Sequence, residues 1–63
     1  MIINQKTVTR KSGEEVEVSL YEHDFPEHPT YDCYAGESKV FQCYHKRLAL
    51  TLMDSYIEVL KVL

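Results

Sequence analysis

The sequence predicts an α+β fold: a small antiparallel β-sheet of three to four strands, arranged as two hairpins, with one C-terminal α-helix packed on one face. Three observations predict it. Between Glu15 and Tyr21 the chain alternates with period two, Val16, Val18 and Leu20 to one side and Glu15, Glu17, Ser19 and Tyr21 to the other. Lys11-Ser12-Gly13 and Ala35-Gly36-Glu37-Ser38 are turn sequences set between β-favouring runs. The last stretch, Lys46 to Leu63, contains neither Gly nor Pro and lays ten apolar residues on one broad helical arc.

The elements follow in order. Ile2 to Arg10 carries Ile3, Thr7, Val8 and Thr9 and reads as a strand. Gly13 suits the left-handed position of a three-residue loop, because glycine takes a positive φ at little cost. That loop closes Arg10 against Glu14 and sets Val8 opposite Val16 and Lys6 opposite Val18. Glu22 to Thr30 holds two prolines, two histidines and three acids, so it is a loop. Its one Phe, Phe25, is expected to tuck under the sheet, with an outward anchor as the alternative.

Tyr31 to Tyr34 and Lys39 to His45 form the second hairpin, in one of two registers. A two-residue turn at Gly36-Glu37 opposes Cys33 to Val40; a three-residue loop opposes Cys33 to Phe41 and Tyr31 to Cys43. The helix start has two readings as well. It begins near Arg47, or a strand runs to about Leu50 and a capping box at Thr51 to Asp54 starts the helix at Leu52.

Sixty-three residues make one domain at most, 1–63. A chain this short buries only about 60% of its unfolded surface, and small scaffolds recover the deficit with disulfides, a metal or oligomerisation. Two cysteines make no disulfide framework. The helix points to oligomerisation: one sheet needs an apolar stripe of about 100°, and this arc approaches twice that. A homodimer is expected, with Leu52, Tyr56, Val59, Leu60 and Leu63 at its interface. Met1 to Lys6 shows no basic region leading into an apolar run, and no stretch approaches the ~18 apolar residues of a membrane span. No signal peptide or membrane association is expected, and a reducing cytoplasm with both thiols free is the expected compartment.

Net charge is −3, unevenly spread. Glu14, Glu15, Glu17, Glu22, Asp24, Glu27, Asp32 and Glu37 occur in a stretch with no Lys or Arg. Such a block is either a solvated face or a surface for a basic partner. On the second reading Glu15, Glu17, Tyr21, Glu22, Asp24, Phe25 and Glu27 are the partner-binding residues, and the partner is a protein with a basic surface, a nucleic-acid enzyme among the candidates. Direct nucleic-acid binding is not expected, because the aromatics sit amid acids that repel phosphate.

Chemistry finds little to stand on. There is no nucleophile elbow and no Gly-rich phosphate loop, so no catalytic residue is assigned and an enzyme is not expected. Cys33, Cys43, His45, His23 and His28 invite a metal, but zinc sites close with paired ligands at short spacing and only Cys43-x-His45 comes near. No metal or cofactor is expected; the thiols read as small packed residues.

One segment carries a resemblance. Lys39-x-Phe41-x-x-Tyr44-His45-Lys46-x-Leu48-x-Leu50, followed by an ending at Lys61-Val62-Leu63, resembles the small phage-encoded inhibitor of uracil-DNA glycosylase from φ29-like Bacillus phages. The resemblance implies an acidic homodimer of a short sheet and one helix that occupies an enzyme's DNA-binding groove in the host cytoplasm. That family's acidic strand position falls on Cys43 here, its helix aromatics reach Tyr56 only with a gap, and the N-terminal hairpin is extra. The expectation is a dimeric protein-binding inhibitor of the phage anti-host or anti-defence kind that mimics DNA. Its alternatives are a structural or regulatory homodimeric module without DNA mimicry, and a Cys/His metal or redox switch.

Overall fold

A computed structural model describes residues 1–63. Strands β1 (Ile2–Thr9), β2 (Glu15–His23), β3 (Thr30–Ala35) and β4 (Ser38–Cys43) form one antiparallel meander in that spatial order, and helix α1 (Lys46–Val62) packs on one face against all four. The α+β class is as the sequence predicts, with four strands.

The first hairpin has the expected register. Val8 pairs with Val16 and Lys6 with Val18; Arg10 N donates to Glu14 O at 2.8 Å, and Gly13 takes φ +92°. Near its open end the register slips between Ile2 and Asn4, and the extra residue, Ile3, packs against the core.

The second hairpin combines both proposed registers. The turn is the two-residue one, with Ala35 opposite Ser38 and Gly36 at φ +61°, as the first central position of a type II′ turn requires. Yet Cys33 pairs with Phe41 and Tyr31 with Cys43, because a bulge at Val40 absorbs one residue. The short turn satisfies local backbone chemistry, and the bulge then returns Phe41 and Cys43 to the helix side.

The helix starts at Lys46, so the strand reading through Leu50 and the Thr51 cap are both overturned. His45 is the N-cap residue without a side-chain cap; its carbonyl accepts from Ala49 N at 2.9 Å. The first turn has no acid and carries Lys46 and Arg47, which oppose the helix dipole. Burial decides instead. Ala49, Met53, Ile57 and Leu60 fall on one stripe, and Ala49 and Met53 are fully buried. Starting the helix at Leu52 would forfeit the first of those contacts.

Against that stripe the sheet presents Val8, Val18, Leu20, Tyr31, Cys33 and Cys43, completing a core of ten buried residues. Leu60, expected at a dimer interface, belongs to this core and is 7% exposed. Phe25 does not tuck under the sheet. It is 54% exposed and lies beside His23, with ring centroids 6.1 Å apart. It belongs to the connection Asp24 to Pro29, in which Pro26 and Pro29 lack the N–H a strand needs and which leaves the ring outside the core. No helix is long and apolar enough to cross a membrane.

Candidate protein-binding face

Strand alternation divides the charged residues between the two sheet faces. Val16, Val18, Leu20 and Glu22 of β2 face α1; Glu15, Glu17, Ser19, Tyr21 and His23 face away from it. The predicted partner-binding residues therefore separate. Glu15, Glu17 and Tyr21 share the uncovered face, and Asp24, Phe25 and Glu27 stand exposed in the adjoining loop. Glu22 lies on the opposite face, where Oε2 accepts a hydrogen bond from the Tyr31 hydroxyl at 2.9 Å. That bond, then burial and the nearby carboxylates, push the Tyr31 phenol above its ordinary pKa of 10.0. Glu22 thus has a partner inside the chain and leaves the candidate face.

The same face holds residues that the sequence reading passed over. From β3, Asp32 and Tyr34 join it, Asp32 opposite Tyr21 and Tyr34 opposite Ser19. The Tyr21 and Tyr34 rings meet edge to face, 5.6 Å apart at 87°. Asp32 is 6% exposed although no helix covers it; its larger neighbours do. Oδ2 lies 3.2 Å from His23 Nε2, and Oδ1 lies 3.7 Å from Lys39 Nζ and makes no hydrogen bond within the chain. Gln5 Nε2 bridges Glu17 Oε1 at 3.0 Å and Ser19 Oγ at 2.9 Å. Alternation through Asp32-x-Tyr34 was the signal for this set, and the pairing of β3 with β2 across the six-residue loop, which no short turn fixes, hid it.

Charge on this face and in the loops beside it is largely unmatched. Glu15 and Glu17 on the face, and Asp24, Glu27 and Glu37 in the connections, form no ion pair, whereas Glu14 is held by Arg10 at 2.9 Å. The one lysine on the face, Lys39, is committed to Asp32. Two further ion pairs, Lys6–Asp54 at 3.7 Å and Glu58–Lys61 at 3.6 Å, involve the helix.

The helix has its own unpartnered side. Leu52 (37%), Val59 (49%) and Leu63 (64%) are exposed, joined by Leu48 (46%), and Tyr56 is half-buried between them and the core. At about 100° per residue these five occupy one flank of the helix, beside the buried stripe.

Cys33 and Cys43 are free and buried on the helix-facing side of the sheet, each opposite a different residue. No three His, Cys, Asp or Glu side chains converge in a cluster that could hold a metal ion. Burial pushes the Cys33 thiol from 9.0 up to about 11. The raised value means that the folded state holds this proton more tightly than the unfolded chain. Its stabilising contribution is complete below about pH 9 and is lost as pH rises through about 11. The urea midpoint should therefore fall between pH 8 and pH 11, and fall less in Cys33→Ser. An equal fall in both proteins would remove Cys33 from the account.

Comparison with protein-family models, with curated proteins and with solved structures finds no match to this chain.

Proposed function

We propose that the chain is a small non-catalytic inhibitor, of the phage anti-host or anti-defence kind, that binds another protein through its uncovered sheet face and blocks a basic, nucleic-acid-binding surface. One observation carries the reading: Glu15, Glu17, Asp24, Glu27 and Glu37 are left without ion pairs, while the cations are placed elsewhere or engaged. Like charges held on one face repel, screened over roughly 8 Å at physiological salt. A cationic groove relieves that repulsion and is reached faster because of it. Phe25 at the rim supplies an apolar anchor, and anchors of this kind carry most of an interface's affinity. The resemblance of Lys39 to Leu50 to the phage inhibitors agrees with this role, and two free thiols suit a reducing host cytoplasm.

The test starts from bacterial lysate passed over the immobilised protein at low salt. The retained protein should bind nucleic acid by itself, and duplex DNA should compete it off. Reversing Glu15, Glu17, Asp24 and Glu27 to lysine should slow association at least tenfold and flatten its salt dependence, while Phe25→Ala should mainly speed dissociation. Unchanged association by the fourfold variant would leave the acids as a solvated surface.

A second reading, that the chain is a homodimeric interaction module, is favoured by the exposed helix flank of Leu48, Leu52, Val59 and Leu63. It is compatible with the first, since pairing through the helix leaves the opposite sheet face free.

A further inference from the structure

We infer that the pocket between Tyr21, His23, Tyr34, Gly36 and Glu37 receives an arginine side chain of the partner protein. The inference rests on the reading that the uncovered face meets a basic protein, and it names where that contact is made.

The pocket is a product of the fold. Tyr21 and Tyr34 come from neighbouring strands, and their rings meet edge to face at one side of the pocket. The turn after β3 brings up the remaining wall: Gly36 takes φ +61° and donates its N–H to Glu17 O at 2.9 Å, which holds Glu37 beside the tyrosines. The cavity measures about 390 Å³, within the range of about 300–1,000 Å³ in which proteins hold ligand groups.

Its chemistry selects a cation. In the edge-to-face pair of Tyr21 and Tyr34 the ring that gives its edge keeps its electronegative π-face free for a cation. Glu37 adds a carboxylate with no ion pair, and no lysine or arginine lines the space. Lys39, the nearest cation on the face, is held by the buried Asp32, which also engages His23 from behind. A phosphate or carboxylate would meet Glu37 and be repelled, and a neutral group would leave Glu37 unused.

Guanidinium fits better than ammonium. A flat cation stacks on one ring while its edge meets the second, and its fork of N–H donors pairs with a carboxylate through two bonds. Glu17 on the same face and Asp24 and Glu27 in the loop after β2 are exposed carboxylates without ion pairs. They suit a basic polypeptide surface rather than a free small cation.

The experiment is an NMR titration of the intact protein with acetyl-Ala-Arg-Ala-amide and with its citrulline counterpart, which keeps the shape and removes the charge. The arginine peptide should shift the amide signals of Tyr21, His23, Tyr34, Gly36 and Glu37 saturably, and the citrulline peptide should not. Glu37→Gln, at an exposed turn position where the fold is not at stake, should weaken binding at least threefold. Tyr34→Leu should weaken it about tenfold, with unshifted Val18 and Leu20 signals showing that the core is intact. Equal binding of both peptides overturns the inference, as does no shift at the pocket. Shifts spread evenly over Glu15, Glu17, Asp24 and Glu27 overturn the pocket and leave the acidic face standing. Saturable arginine binding, combined with partner capture that survives the fourfold charge reversal, supports the pocket and removes the wider acidic face.

Discussion

Met53→Ala should leave much of the protein unfolded at room temperature. Met53 is fully buried at the middle of the helix stripe, between Ala49 and Ile57, in the same core as the fully buried sheet residues Val18, Leu20 and Cys33. Truncating a buried methionine costs about 2–5 kcal/mol, the lost transfer energy plus the cavity left behind. A domain of this length has a total stability of about 3–9 kcal/mol by the usual per-residue range. The loss is therefore comparable with the whole. Circular dichroism should show a weakened helix signal and a broad, early melt. A melting temperature within a few degrees of the parent would mean that the helix does not close this core. Leu60→Ala should behave similarly, because Leu60 is in the same stripe at 7% exposure.

Leu52→Lys combined with Val59→Lys should do the opposite, keeping the fold and abolishing the proposed homodimer. Both side chains are substantially exposed in the single chain, so the substitutions remove nothing from its core. In a two-fold interface each position occurs twice, once from each copy. Full burial of such a side chain contributes about 1.5–3 kcal/mol, and four buried lysines would add a desolvation cost as well. Light scattering at micromolar concentration should report two chains for the parent and one for the variant, with unchanged circular dichroism. A monomeric parent would remove the dimer altogether. Leu63→Ala separates the two roles that the sequence reading had merged with Leu60: it should weaken pairing while the melt of the monomeric form stays put.

Both predictions come from one helix, and the difference between them was only half readable in advance. The width of the apolar arc indicated that one sheet could not cover it. Which residues lay under the sheet, and which remained outside, depended on how the helix is rotated about its axis. Ala49, Met53, Ile57 and Leu60 won the sheet side, and Leu48, Leu52, Val59 and Leu63 were left. Hydrophobicity cannot rank them, since leucine occurs in both sets.

What the sequence determined by itself is wherever local chemistry had one solution. Gly13 set the loop of the first hairpin, and the loop length then set every pairing from Val8–Val16 to Lys6–Val18. Alternation along β2 put Glu15, Glu17 and Tyr21 on one face, and two prolines kept Asp24 to Pro29 out of the sheet, although Glu22, His23 and Thr30, read from composition as parts of that loop, joined β2 and β3. What only the tertiary structure decided is wherever local signals competed. The Val40 bulge reconciled a turn preference with a burial preference in the second hairpin, and the pairing of β3 with β2 placed Asp32 and Tyr34 beside Tyr21. The Thr51 capping box lost to the buried contact of Ala49, since a cap contributes about 1 kcal/mol and a forfeited core contact costs more. Glu22 left the acidic face because β2 runs on to His23, which sets Glu22 in alternation with Leu20, and the pairing with β3 then gave it Tyr31 as a partner. In each case the deciding energy lies in contacts between residues distant in the chain, which no window of sequence contains.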